Sequence, residues 1–91
     1  MALTKEDAVR QAKSDLAARL GVAEDAIKED SVKDEDFPDA ALGAPIEDEM
    51  SAQMITSGWR IRLRADGKKY EYRASRNGLR LYNYEGENYR V

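Results

Sequence analysis

The sequence predicts an α+β fold, a two-layer sandwich in which one N-terminal helix packs on an antiparallel meander sheet of three to five strands. Three observations carry this expectation. Val9, Ala12, Leu16 and Leu20 recur at helical spacing near the start of the chain. From Trp59 onward, apolar and charged residues alternate with period two about an Asp66-Gly67 turn. Finally, 91 residues of 42% hydrophobic content suffice for one small core, and a split would leave two units too small to bury their own. The chain is therefore read as a single domain, residues 1–91.

The helix has signals at both ends. Thr4 is placed as N-cap, with Asp7 three residues on in the position a capping box gives to Glu. Arg10, Gln11, Lys13, Ser14 and Asp15 surround the apolar stripe with polar groups. Gly21 stands where a positive φ ends a helix without a Cβ clash. The helix should run from about Lys5 to Leu20, and its narrow stripe needs a sheet to lie on. Ala23 to Ala26 reads as a short helical turn. Ile27 to Val32, extending toward Phe37, reads as a strand. Its acidic load of Glu29, Asp30, Asp34, Glu35 and Asp36 places it at an edge, where charge deters further pairing.

Residues 38–58 form the long irregular stretch. Pro38 and Pro45 break any period, and Gly43 and Gly58 permit unusual dihedrals. Leu42, Ile46, Met50, Met54 and Ile55 are available to pin the stretch down, with a helical turn expected over 47–54. After it the pattern is regular. Closing a hairpin on Asp66-Gly67 sets Leu63 opposite Tyr70, Ile61 opposite Tyr72 and Trp59 opposite Ala74 on one face, with Arg62 opposite Glu71 on the other. Turn chemistry and both faces agree on this register. Trp59 opens the apolar face and is expected in the core, between helix and sheet. Asn77-Gly78 is expected to form a second two-residue turn, setting Leu81 opposite Ala74 and Tyr82 opposite Arg73. Gly86 marks a further turn, and 88–91 a short final strand.

This order of elements, with its Gly58-Trp59-Arg60-Ile61 and Tyr70-Glu71-Tyr72-Arg73 strands, resembles the PepSY-like small α+β domains. Those occur beside peptidases, so the resemblance implies an inhibitory or chaperoning role. The loop Phe37-Pro38-Asp39-Ala40-Ala41-Leu42-Gly43-Ala44-Pro45 more closely resembles that of small uncharacterised bacterial proteins with a Trp-Pro-Asp-x-x-Leu-Gly-Cys-Pro loop, a Gly-aromatic strand and a Tyr-x-Tyr strand. Phe37 replaces the Trp and Ala44 the Cys, so any role of that thiol is absent here. The resemblance brings no established activity.

Composition removes several function classes. There is no Cys and no His, which excludes disulfides, Cys- or His-built zinc sites and every catalytic device that needs a thiol or an imidazole. The longest apolar run, Ala40 to Ile46, is too short and broken to span a membrane. No secretory signal follows Met1. The bacterial cytoplasm is expected if Met1 is the native start, and the periplasm or cell envelope if an upstream signal was removed. The net charge of -3 hides an asymmetry: residues 1–57 hold six Lys/Arg against fourteen Asp/Glu, and residues 58–91 hold nine against four. Such a split marks either an acidic partner or self-complementarity between an acidic front and a basic sheet.

Candidate sites follow from that division. Arg60, Arg62, Arg64, Lys69, Arg73 and Arg80 share the sheet's outer face with Tyr82, and with Tyr84 beyond it. Guanidiniums beside aromatic rings suit single-stranded nucleic acid or another polyanion. A solvated face is favoured instead, because the sequence pI is about 5.0 and Glu71 stands opposite Arg62. Nucleic acid is therefore not the expected partner. Asp34, Glu35, Asp36, Asp39, Glu47, Asp48 and Glu49 offer oxygen ligands for calcium, but the EF-hand spacing and its central Gly are missing. A hydrated acidic loop is favoured, with no metal and no cofactor expected. Asp36 and Asp39 are a carboxylate pair without a nucleophile–base constellation, so no enzyme is expected. What remains is the 38–58 loop, with Asp39, Leu42, Pro45, Ile46, Met50 and Met54 as partner-binding residues, since Met adapts to irregular partners. The competing view is that these apolar residues close the open end of the core. The expected function is a non-enzymatic module that binds or inhibits a protein or peptide. Polyanion binding by the arginine face is the alternative, and a homodimer through a strand edge the third. The chain is expected to be a monomer or a weak homodimer.

Overall fold

A computed structural model describes residues 2–47, 49–50 and 52–91. Helix α1 (Lys5–Leu20) and a 3-10 turn (Glu24–Ala26) precede strands β1 (Lys28–Phe37), β2 (Thr56–Ala65), β3 (Lys68–Ser75), β4 (Gly78–Tyr84) and β5 (Glu87–Arg90). The strands form one sheet in the order β1-β2-β3-β4-β5, every neighbouring pair antiparallel. One helix on one face of an antiparallel meander is the expected α+β architecture.

Both helix signals operate. Thr4 Oγ1 accepts the Asp7 N–H at 3.1 Å, and the Asp7 carboxylate accepts the Thr4 N–H at 3.3 Å. Gly21 takes the left-handed conformation with φ 69. The buried face is Ala8, Ala12, Leu16 and Ala17, with Leu3, Val9 and Leu20 half-buried at its margins. The stripe is thus rotated from the one the large residues mark. Alanines let the helix lie close to the sheet, and the bulkier chains fill the gap at its sides. Opposite them lie Ile27, Ile61, Leu63, Ala65, Tyr72, Ala74, Leu79 and Leu81.

The β2–β3 hairpin has the expected register, with Leu63 facing Tyr70, Ile61 facing Tyr72 and Arg62 facing Glu71. Its turn residues Asp66 and Gly67 have φ 51 and 77, as a type I′ turn requires. The β3–β4 pairing corrects the second expectation. Ala74 faces Leu79, Arg73 faces Arg80, Tyr72 faces Leu81 and Glu71 faces Tyr82. The turn is Arg76-Asn77, one residue earlier than the Asn-Gly dipeptide indicates. Ser75 Oγ accepts the Asn77 N–H at 3.1 Å, and the Arg76 carbonyl accepts the Leu3 N–H at 2.8 Å. A side-chain acceptor and the N-terminal arm hold the turn there. The ladder is displaced by two residues, so each side chain keeps its expected face.

Three further expectations change. Trp59 is half-buried, packed on the rim of the core. It lines a surface recess of about 450 Å³ with Asp34, Asp36, Ser57 and Arg76. Gly58 belongs to β2, which begins at Thr56, rather than to the loop. No helical element spans 47–54 among the described residues, only an Ile46 carbonyl accepting the Glu49 N–H at 3.0 Å.

Candidate functional site

The outer face of the sheet is built from residue rows that cross the strands. The central row is Lys33, Arg60, Arg73, Arg80 and Arg90, one cation from each of the five strands in direct register. Like charges directly opposite destabilise a sheet, so the row needs counter-charge. Glu71, on β3 between Arg62 and Tyr82, supplies part of it. Its carboxylate lies 3.6 Å from Arg60, 3.4 Å from Arg62 and 2.8 Å from Arg73. Glu35 adds a second carboxylate 3.6 Å from Arg60. The next row, Glu35, Gly58, Ser75 and Gly78, is nearly without side chains beyond β1 and leaves a shelf.

The first half of the long loop, residues 38–47 and 49, lies over this shelf as a strap. Phe37 of β1 and the strap's own Ala41, Leu42 and Ala44 are buried. Asp39 Oδ1 accepts the Gly43 N–H at 3.1 Å and the Asp39 carbonyl accepts the Leu42 N–H at 3.1 Å, which curls the strap into a turn. Leu42 and Gly43 have φ 61 and 66. A Cβ on Gly43 would lie 2.8 Å from the Arg73 guanidinium, so Gly there permits the close approach. Arg73 Nη1 donates to the carbonyls of Leu42 at 3.1 Å and Gly43 at 3.0 Å. Its guanidinium lies 3.7 Å from the centre of the Tyr82 ring and 5.7 Å from that of Phe37.

Arg80 is the second anchor. It donates to the Ala44 carbonyl at 3.1 Å and grips Glu49 through both nitrogens at 2.6 Å. The side chains of Glu49 and Arg80 are 11% and 13% exposed, so the pair is shielded from solvent. Arg90 stands 3.4 Å from the same carboxylate. Hydrogen bonds from Arg80, aided by the Ile46 N–H, hold the Glu49 carboxyl below its ordinary value. Asn88 Nδ2 closes the strap by donating to the Pro45 carbonyl at 2.8 Å.

The expected partner-binding residues are thereby divided. Asp39 and Leu42 serve the strap's own fold, and Leu42 is 2% exposed, so it presents no surface. Pro45 is exposed and Ile46 half-buried. Beyond Glu49 the chain leaves the sheet: Met50, Met54 and Ile55 are 98%, 59% and 75% exposed. The Ala52 carbonyl accepts the Ala40 N–H at 3.0 Å and ties this segment to the start of the strap. Within the alternative arginine face, Arg73 and Arg80 are occupied by the strap, while Arg62, Arg64 and Lys69 remain exposed. Sequence reasoning did not single out Phe37, Glu49 or Asn88 as anchors. The Phe37–Pro45 motif was the available signal; Arg73 and Arg80 stand on the expected outer face, but their contacts to the strap span 30 and 36 residues and leave no local trace in the sequence.

Asp48, one of the carboxylates considered for calcium, lies outside the described residues. Among the described residues no group of three carboxylates converges on a metal position. None of the helices there is long and apolar enough to cross a membrane. Residues 9–82 match the family model described as Domain of unknown function (DUF8738). No curated protein and no solved structure matches the chain.

Proposed function

Because the chain belongs to this domain family of unknown function, we propose its role from the site alone: a non-enzymatic module that binds a protein or peptide through Met50, Met54 and Ile55. The observation that carries the reading is the exposure of three large apolar side chains within six residues, on a segment tied at both ends. Glu49 holds one end in the Arg80 grip, and Thr56 enters β2 at the other. Clustered exposed apolar groups mark interaction surfaces. Anchored flanks lower the ordering cost of binding, and Met side chains adapt to the partner's contour. Inhibition of a peptidase, implied by the PepSY-like order of elements, is one specific form of this reading.

The test is cross-linked capture with the wild-type chain and a Met50→Ser/Met54→Ser/Ile55→Ser variant. These residues face solvent, so the variant should keep the wild-type thermal midpoint. One partner, identified by mass spectrometry, should be captured by the wild type, lost in the variant and competed off by a peptide of residues 46–57. Equal capture by both chains would place the contact elsewhere.

A further inference from the structure

We propose that Lys28, Arg64 and Lys69 form a second binding site, specific for an acidic segment of a partner protein. The site stands independently of the Met50–Ile55 contact, at the opposite end of β2. Lys28 faces Arg64 and Arg64 faces Lys69, which puts three cations on adjacent strands in one row of the outer face. Side chains opposed in this way repel. Elsewhere on the face the arginines are compensated: Arg60, Arg62, Arg73, Arg80 and Arg90 all have a carboxylate within 4.0 Å. Among the described residues, no ion pair reaches Lys28, Arg64 or Lys69. Among the described residues the sheet thus pairs the arginines at its centre internally and leaves Lys33, on edge strand β1, and the three-cation hairpin-tip row without a carboxylate partner.

A recess of about 350 Å³ adjoins the row at Lys69, lined by Asp30, Ser31, Arg62, Lys69, Glu71 and Tyr82 among others, so its own lining is charge-balanced and the positive excess lies in the row. Glu71 is already engaged by Arg62 and Arg73, while Ser31 and Asn83 add polar groups at the rim. Charge complementarity selects an anionic occupant, and two features select a short acidic protein segment over nucleic acid. Tyr82, the outer-face ring beside the recess, has one face covered by Arg73 at 3.7 Å, which halves the platform it offers a base. The net charge of -3 opposes the approach of a long polyanion. Opposed cross-strand side chains lie about 4.5–5.5 Å apart. That is close to the roughly 5–6 Å between positions i and i+4 of a helix, so carboxylates at that spacing match the row.

The probe is a fluorescein-labelled, Ala-rich helical peptide with Glu at every fourth position, followed by anisotropy at low and physiological salt. Binding should weaken with salt. It should fall at least about tenfold in a Lys28→Gln/Arg64→Gln/Lys69→Gln variant, each charge contact being one of the few the peptide makes. Arg76→Gln, which removes an exposed cation outside the row, should leave it unchanged. The triple variant should also melt higher than the wild type, because the mutual repulsion is gone. Equal peptide binding by the triple variant, or a lowered melting point, would overturn the proposal. So would tighter binding of a labelled oligothymidylate, which would assign the row to nucleic acid. Full competition by inorganic phosphate would make it a small-anion site and equally sink the acidic-segment assignment.

Discussion

Gly58 is packed tightly against the β3 backbone. A Cβ there would run into the Ala74 carbonyl oxygen, a backbone atom that cannot swing aside. Gly58→Ala should therefore destabilise the fold by about 1–3 kcal/mol, the usual range for overpacking. An unchanged urea midpoint would show that the two strands can part at that point. Glu49 is a different kind of residue, a charge whose partner decides its worth. Its folded-state pKa is depressed, first of all by the Arg80 hydrogen bonds. The stability it adds is present above its unfolded-state value and is lost as the pH falls through the folded-state one. Glu49→Gln should melt lower than the wild type near neutrality, and the gap should close in acid. A gap that stays constant with pH would mean that the charge contributes nothing. Tyr72 gives the opposite slope. Burial, then its 2.7 Å hydrogen bond to Asp15, raises the phenol far above its ordinary value. That contribution is whole below the unfolded-state pKa of about 10 and is lost as the pH rises beyond it. Tyr72→Phe should flatten the alkaline loss of stability, and an unchanged slope would assign that loss to other groups.

At the scale of elements, legibility followed the range of the determining contact. Helix α1 was readable to its end residues because Thr4, Asp7 and Gly21 act on their own chain neighbours. Thr4→Ala should cost about 0.5–2 kcal/mol, measured by chemical denaturation. A loss within error would mean that sheet packing alone sets the helix start. The helix's buried face was read less well. Ala12 and Leu16 are buried as expected, but Ala8 and Ala17 rather than the larger Val9 and Leu20 complete the face. The Asp66-Gly67 hairpin was fully legible, since two positive-φ positions and two side-chain faces specify one register. The β3–β4 turn was not. Asn77-Gly78 is a strong dipeptide signal, and it lost to the Ser75 hydroxyl and the Arg76 bond to the N-terminal arm.

For the molecule as a whole, the long loop is two structures rather than one. Residues 38–58, read from the sequence as one irregular stretch, divide at Glu49. Hydrogen exchange should find the Leu42, Gly43 and Ala44 amides protected, since each donates within the strap, and those of Gln53 to Ile55 fast. Equal rates on the two sides would mean that the strap is undocked in solution. What the sequence by itself determined is the local part: the helix and its caps, the edge position of the acidic strand, the β2–β3 register and the assignment of side chains to faces. These follow from residues a few positions apart, where spacing alone decides which groups can meet. Only the tertiary structure decided the five-cation row, the strap that covers its middle, and the surfaces left free. Those depend on the pairing of β1 with β2 and on contacts such as Arg73 to Gly43 and Arg80 to Ala44, which span 30 and 36 residues. Fifteen cations and eighteen carboxylates can pair in many ways on paper. The folded sheet brings only a few of them within hydrogen-bond reach, because charge has no directional preference until the backbone supplies one.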